Sequence, residues 1–162
     1  MEAEMDNAVK VNDVLNVKTV SKPKDSVYVF DFAQNLSGIV ELKVKGKKGQ
    51  VIKLTPCELL NGAKMANQNN TGKPYYFLYT LKGDSVETWR PRFSYYGFRY
   101  VQVEGAVPDT ANVTGDFAKI ISLASFHTAN SSALNGEFEC SNTLFNDINK
   151  LIRWAIKVIC KV

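Results

Sequence analysis

The sequence has 162 residues, of which 45% are hydrophobic and 22% charged, and its formal net charge at pH 7 is +4. This composition is close to the average of soluble globular proteins, so it excludes a disordered chain, and the length suits one domain with part of a second. No apolar stretch has the length of a membrane span, and the lysines alternate with apolar residues rather than with stacking aromatics. These features argue against a membrane partner and against a nucleic-acid partner.

The chain begins with a polar arm, which we predict over residues 1–25. Its acidic first residues lack the apolar region of a signal peptide. A small cluster of apolar residues, Val14 to Val20, predicts one edge strand, and the sequence from Lys22 to Asp25 predicts a turn.

Short strands separated by turns follow over residues 26–130, and they predict an all-β fold, an antiparallel β-sandwich of jelly-roll type. Residues 27–32 are apolar on both faces, as expected of a strand buried inside a sandwich, whereas residues 39–45 alternate like a half-buried strand. The polar residues 34–38 predict a break between these two strands.

The next strand starts at Gln50, after a glycine-containing turn at residues 46–49 that predicts a hairpin. Pro56 lies in this strand and lacks a backbone N–H, so it requires an edge position or a bulge. The loop from Asn61 to Pro74 is rich in Asn, Gln, Gly and Thr, and we expect it to be exposed.

The stretch from Trp89 to Gly105 is dense in aromatic residues and predicts the central strand of the sheet. Pro91 and Gly97 favour an irregular crossing that ends in a strand over residues 98–103. Arginines in this stretch, such as Arg99, are expected to pair with neighbouring carboxylates, for which Glu87 and Glu104 are candidates.

Some of these side chains are candidates for sugar binding, because aromatic rings stack on the apolar face of a sugar and polar groups bond its hydroxyls. The alternative for the rings is packing in the core or against another domain, and for the polar groups it is hydrogen bonding within a turn. The candidates for contact with a sugar or another domain are Trp89, Tyr95, Tyr96, Asp31, Gln34 and Asn35.

No catalytic constellation is predicted in the chain. The single histidine, His127, has no nucleophile or metal ligand at a recognised spacing. Glu137 and Glu139 lie two apart in an extended segment, which is typical of a solvated face rather than of a glycosidase pair. The three cysteines are far apart, so we expect no metal site and no cofactor.

From Ser141 onward the apolar residues follow a helical period, and Ser141 or Asn142 is the predicted N-cap. A helix that is apolar around so much of its circumference needs partners on several sides. We therefore expect residues 136–162 to be a linker and the first helix of a larger helical domain that is missing from this chain. A dimer formed through this helix is the alternative.

Three motifs stand in order along the chain. Val29 to Gly38 reads Val-Phe-Asp-Phe-Ala-Gln-Asn-Leu-Ser-Gly, Phe93 to Tyr100 reads Phe-Ser-Tyr-Tyr-Gly-Phe-Arg-Tyr, and Phe138 to Asn146 reads Phe-Glu-Cys-Ser-Asn-Thr-Leu-Phe-Asn. At this spacing they resemble the bacterial α-L-rhamnosidases of glycoside hydrolase family 78, over residues 27–155. In the family's signatures, Ala33 replaces the usual Gly, Ile39 the usual Trp, and Tyr96 a common His.

The resemblance implies the β-sandwich (concanavalin-like) module and the first helix of the family's (α/α)6 catalytic barrel. The family hydrolyses terminal α-L-rhamnosyl linkages with inversion, and its acid and base lie in the barrel. The chain alone is therefore expected to be inactive and to scaffold the barrel. The alternative is an autonomous carbohydrate-binding module, whose partner would be a rhamnose-containing oligosaccharide.

Overall fold

The computed structural model describes residues 8–69, 74–83, 85–131 and 135–159, with residues 158 and 159 described for the backbone alone. Antiparallel strands account for most of these residues, and a single helix follows them. The strands are β1 (Val9–Asn16), β2 (Thr19–Lys24), β3 (Val27–Lys45), β4 (Val51–Cys57), β5 (Leu59–Leu60), β6 (Ala66–Asn67), β7 (Phe77–Thr80), β8 (Val86–Trp89), β9 (Tyr96–Glu104), β10 (Ala106–Pro108) and β11 (Ala118–Asn130), and the helix is α1 (Thr143–Ile159).

Strand β3 is 19 residues long, and its two halves pair with different sets of strands. Residues 27–31 pair with β2 on one side and β9 on the other, whereas residues 38–45 pair with β11, and residues 42–45 also pair with β8. The predicted break at residues 34–38 is wrong, because the strand continues through this segment with a bulge. A bulge bends its strand, so the two halves of β3 can take different partners.

The main sheet has the strand order β1-β11-β3-β9-β4-β7. Strand β9 therefore lies between β3 and β4, which confirms the predicted central strand, and its Phe98, Val101 and Val103 are buried. These side chains meet those of β3 and β11 in one core shared by both layers. The all-β antiparallel sandwich with a C-terminal helix is confirmed.

The predicted hairpin at residues 46–49 is wrong, because β4 pairs with β7 and β9 and not with β3. The connection leads instead to a strand that is separated from β3 by β9. Gly46 passes so close to the core that an added Cβ would come within 2.7 Å of Leu81 and 2.9 Å of Ala118. Pairing between β4 and β7 ends at Leu54. Pro56 therefore faces no described strand on that side, and its missing N–H breaks no hydrogen bond there.

The arm predicted over residues 1–25 contributes two strands rather than one. Strand β1 pairs with β11 at the end of the sheet, and β2 pairs with the first half of β3. The described part of the arm, from residue 8, is thus built into the sandwich. No helix in the described part of the chain is long and apolar enough to span a membrane.

Helix α1 begins after Asn142, whose Oδ1 accepts the N–H of Leu144 at 3.0 Å and caps the helix as predicted. The helix touches the sandwich on one side and leaves most of its large apolar side chains exposed. These are Leu144, Phe145, Ile148, Leu151, Ile152 and Ile156, which are between 40% and 72% exposed.

Candidate functional site

The polar candidates Asp31, Gln34 and Asn35 lie together in the bulge of β3. Asp31 pairs with Tyr100 of β9 and Leu36 pairs with Phe98, so four residues of β3 face the single residue between those partners. Ala33 has a left-handed backbone with a φ of 62°, and its N–H donates to Asp31 Oδ1 at 2.6 Å. The structure thus explains why glycine is the usual residue here, because glycine adopts this conformation without a Cβ clash.

Asp31 is engaged by Arg99 of β9, whose Nε and Nη2 donate to the two carboxylate oxygens, each at 2.9 Å. Hydrogen bonding from Arg99 holds the pKa of Asp31 below its usual value, against the opposing effect of burial. The prediction that Arg99 pairs with a carboxylate is confirmed, but its partner is Asp31 rather than Glu87 or Glu104. This carboxylate is part of the bulge's internal structure.

Asn35 connects the bulge to two other segments. Its Nδ2 donates to Glu58 Oε1 at 3.1 Å, beyond the end of β4, and its carbonyl accepts the indole N–H of Trp154 in α1 at 2.7 Å. Gln34 also donates to this carbonyl, at 3.1 Å. Gln34 and Asn35 are therefore joined to each other and, through the Asn35 carbonyl, to the helix, whereas Asp31 bonds to Ala33 and Arg99.

The aromatic candidates Trp89 and Tyr96 belong to a row of packed rings. Tyr96 stacks on Tyr75 with ring centroids 3.8 Å apart and planes 10° apart, and Phe77 meets the edges of both Tyr96 and Trp89. Tyr79 also packs on Trp89, with ring centroids 5.3 Å apart. Neighbouring rings thus take up surface that a sugar would need on Trp89 and Tyr96.

The aromatic row and the bulge meet at Gly97. Tyr75 Oη donates to the Gly97 carbonyl at 3.5 Å, and the Glu58 carboxylate comes so near that an added Cβ on Gly97 would lie 2.9 Å from it. Burial raises the pKa of Tyr75 to about 12, so its hydroxyl stays protonated and acts as a donor. Five of the six predicted site residues therefore lie in one connected region, and Tyr95 precedes it, half-buried, in the crossing before β9.

An open groove of about 720 Å³ lies beside this region. Arg90 Nε donates to Glu41 Oε2 at 2.6 Å, and the Arg90 guanidinium lies 4.2 Å from the ring of Phe126, so this arginine has both charge and stacking partners. The groove is lined by Ile39, Glu41, Thr88, Trp89, Arg90, Pro91 and Arg92. Ile39, where the family's usual Trp would stand, leaves a smaller side chain in the groove.

Several important residues were not predicted from the sequence. Trp154 forms a hydrogen bond with Asn35 from 119 residues further along the chain. Glu58 forms one with Asn35 from 23 residues further along. Tyr75 and Phe77 carry a usable signal, since they alternate in an aromatic strand. For Trp154, the available signal is an aromatic residue within a helix whose other apolar residues are mostly aliphatic.

Among the described residues, no group of three His, Cys, Asp or Glu side chains could hold a metal ion. Burial raises the pKa of the Cys57 thiol to about 11, which keeps it protonated and unreactive at neutral pH. His127 is buried and its Nδ1 lies 2.8 Å from the Ser37 carbonyl, so the ring takes part in the core.

Residues 21–121 match the family model described as bacterial alpha-L-rhamnosidase concanavalin-like domain. An α-L-rhamnosidase of Streptomyces avermitilis is 35% identical over 156 residues, which cover 94% of this chain and 14% of that protein. The chain spans 14% to 16% of the length of its curated relatives.

Two solved structures are similar over nearly the whole chain. The crystal structure of the Streptomyces avermitilis α-L-rhamnosidase complexed with L-rhamnose has a TM-score of 0.83 at 31% identity, covering 98% of this chain and 15% of that one. The structure of the α-L-rhamnosidase from Dictyoglumus thermophilum also has a TM-score of 0.83, at 28% identity, and the match covers 98% of this chain and 17% of that one. The similarity to these two structures extends beyond residues 21–121.

Proposed function

We propose that this chain, which belongs to the bacterial alpha-L-rhamnosidase concanavalin-like domain family, is the non-catalytic module of an enzyme that hydrolyses terminal α-L-rhamnosyl linkages. In this role the sandwich scaffolds a helical catalytic domain and presents α1 to it. The relatives that it matches are six to seven times longer than the matched region, which leaves room in them for such a domain.

The observation that carries this proposal is the exposed apolar face of α1. Large apolar side chains of a helix are normally buried, and a patch of this size on a protein surface is typical of a docking site. Phe93 adds a second apolar group, because it is fully exposed and has a left-handed backbone with a φ of 55°. A strained and exposed aromatic residue supports contact with another part of the protein.

Three carboxylates, of which Glu41 and Glu87 are buried and Asp31 is partly exposed, give a further reason to place catalysis elsewhere. Glycoside hydrolysis needs one carboxyl group that protonates the leaving oxygen and a second that activates water or attacks. Asp31 is bound by Arg99, Glu41 by Arg90, and Glu87 by the Tyr79 hydroxyl at 2.7 Å and two backbone N–H groups. Each of these carboxylates already has a structural partner.

A sugar-binding module is the second candidate, and the groove along Trp89 and Arg92 favours it. Arg92 is exposed and lines this groove, and its carbonyl accepts the Ser94 hydroxyl at 3.2 Å, which, within the described part of the chain, leaves its guanidinium free for a ligand. Sugar contact by Trp89, Tyr95, Tyr96, Asp31, Gln34 or Asn35 stays a prediction. Against it stand the rings that cover Trp89 and Tyr96.

Two assays on the purified chain separate these candidates. The scaffolding proposal predicts no hydrolysis of an aryl α-L-rhamnoside, with the Streptomyces avermitilis enzyme as positive control. It also predicts no saturable change in tryptophan fluorescence on titration with L-rhamnose or a rhamnose-containing oligosaccharide. A saturable change that Trp89→Phe abolishes would favour the sugar-binding module, and measurable hydrolysis would contradict both candidates.

A chimera tests scaffolding itself. The matching 156 residues of the Streptomyces avermitilis enzyme are replaced by this chain, and the chimera is expected to hydrolyse the aryl rhamnoside. Placing aspartates at Leu151 and Ile152, on the exposed face, is expected to lower that activity at least tenfold. A folded chimera without activity, or one that tolerates the two aspartates, would contradict the proposal.

A further inference from the structure

Helix α1 meets the sandwich chiefly through one half-buried side chain, Trp154. We propose that the bulge of β3 is the receptor for Trp154, and that this contact, the Trp154 latch, sets the orientation in which α1 stands on the sandwich. The latch consists of Trp154, the Asn35 carbonyl and the His127 ring. It concerns how the chain holds its helix and does not depend on what the parent enzyme hydrolyses.

Trp154 makes two contacts of different kinds with the sandwich. Its indole N–H donates to the Asn35 carbonyl at 2.7 Å, and its ring stacks on His127 with centroids 5.4 Å apart and planes 29° apart. It also packs against the edge of the hydrophobic core. A directional hydrogen bond and a ring stack together fix both the position and the rotation of a side chain.

The bulge holds its carbonyl in place without help from the helix. Arg99 donates two hydrogen bonds to Asp31, and Asp31 accepts the N–H of Ala33. Phe32 packs edge-to-face on Phe98, with ring centroids 5.9 Å apart. The extra residues break the regular ladder with β9, and the Asn35 carbonyl is thereby available to the indole. The receptor is thus built by the same motif that marks the family.

The floor of the latch is the buried ring of His127. Its Nδ1 donates to the Ser37 carbonyl at 2.8 Å, because a carbonyl can only accept. An added Cβ on Gly38, which pairs with His127, would lie 1.9 Å from the Phe126 carbonyl, so this glycine lets β3 and β11 come close enough. His127 Nε2 has no hydrogen-bond partner among the described residues, and the indole packs beside that ring.

The remaining contacts of α1 with the sandwich are weaker. Lys157 Nζ lies 3.3 Å from Asp13 Oδ2, but both side chains are more than a third exposed, and such pairs contribute little. Arg153 and Asn149 donate to carbonyls of the preceding linker, at Gly136 and Phe138, and not to a strand. Within the described residues, Trp154 is the residue of α1 that packs against the core.

Limited digestion with trypsin tests the latch on the whole chain, because cleavage after Lys150 or Arg153 requires α1 to leave the sandwich or unwind. Trp154→Ala is expected to raise the cleavage rate at these sites at least tenfold. Trp154→Phe keeps a ring over His127 but loses the donor, so an intermediate increase of about threefold is expected. Leu151→Ala, on the exposed face of the same helix, is the matched control and should stay within twofold of the original rate.

Cleavage of Trp154→Ala at the original rate, or an equal increase for Leu151→Ala, would overturn the latch. Cleavage of Trp154→Phe at the original rate would overturn the role of the Asn35 carbonyl. Cleavage after Lys43 or Lys45 of β3 would show that the sandwich itself has opened, and these two sites should remain uncut. If they are cut as fast as Lys150 in Trp154→Ala, the effect is global and the latch is contradicted.

A second pair of variants tests the bulge as receptor with Trp154 intact. Ala33→Val places a β-branched residue at a φ of 62°, which disfavours the bulge, and should raise cleavage at Lys150 and Arg153 at least threefold. Ala33→Gly suits the same backbone and should leave cleavage unchanged. Equal cleavage rates for these two variants would overturn the assignment of the bulge as the receptor.

Discussion

Strand β3 and helix α1 are both rich in apolar residues, but they differ in where those residues find partners. In β3, side chains on either side of the bulge, such as Phe32 and Leu42, are buried by β9, β11 and the rest of the core. In α1, Leu151 remains 72% exposed, and Trp154 reaches the core. A similar content of apolar residues therefore supports two roles, one in folding the module and one in presenting a surface.

The largest expected effect comes from breaking the core beside β3. Phe98→Ala removes a ring that is 1% exposed and packs on Phe32, so it should lower the free energy of unfolding by about 3–5 kcal/mol. Leu151→Ala in α1 should change it by less than about 0.5 kcal/mol. Urea denaturation of the two variants measures this contrast, and similar losses would refute it.

A smaller effect is expected at the bulge, where Asp31→Asn removes a charge from the pair with Arg99. Because both side chains are partly exposed, the expected loss is about 1–2 kcal/mol at neutral pH. Arg99 holds the pKa of Asp31 below its usual value in the folded state. The stabilisation is therefore present above the ordinary aspartate pKa of about 4 and is lost as the pH falls through the lowered value.

Denaturation midpoints measured between about pH 6 and pH 2 test this pH dependence. The original chain should lose stability relative to Asp31→Asn as the pH falls, so the difference between them should shrink. Asp25→Asn is the control, because Asp25 pairs with Lys22 at the surface, where its side chain is 96% exposed. A difference between the original chain and Asp31→Asn that does not change with pH would show that the ion pair does not stabilise the fold.

Relieving the backbone strain at the bulge should have a small effect of opposite sign. Ala33→Gly removes the cost of a left-handed alanine, about 1–2 kcal/mol, but adds flexibility to the unfolded chain. The expected net gain is about 0.5–1 kcal/mol in the free energy of unfolding. A loss of stability in thermal denaturation would mean that the Ala33 side chain has a stabilising contact.

The smallest expected effect is that of Lys157→Ala, which removes the surface pair with Asp13. Loss of this pair should lower the free energy of unfolding by no more than about 0.5 kcal/mol, and high salt should remove the difference between the variant and the original chain. The same substitution at Lys150, whose partner Asp147 lies within α1, is the control. A loss well above 1 kcal/mol for Lys157→Ala alone would show that the ion pair, rather than Trp154, holds the helix.

The sequence was sufficient to predict features that depend on local patterns. The apolar period predicted α1, and Asn142 is the one of the two predicted caps, Ser141 and Asn142, that accepts the N–H of Leu144. The aromatic strand after Gly97 predicted β9 at the centre of the sheet. The polar residues after Phe32 were assigned to a break between strands, whereas they form the bulge of β3. A bulge and a break have the same polar composition, and the pairing of Leu36 with Phe98 that distinguishes them lies more than 60 residues away.

The parts that could not be predicted depend on contacts between distant segments. The turn at residues 46–49 has hairpin composition, yet the strand that follows it, β4, pairs with β7 and β9 rather than with β3. Likewise, the contact between Trp154 and Asn35 joins residues 119 positions apart. Local composition carries no information on which of several aromatic residues meets a particular carbonyl.

The contrast between β3 and α1 is tested most directly by amide hydrogen exchange on the dilute chain. Exchange in residues 36–44 of β3 should be slower than in α1 by about a hundredfold or more, because the strand is buried and the helix is held mainly at Trp154. Protection of α1 equal to that of β3, persisting on further dilution, would mean that its apolar face is already covered within the chain. That result would contradict the proposed docking surface.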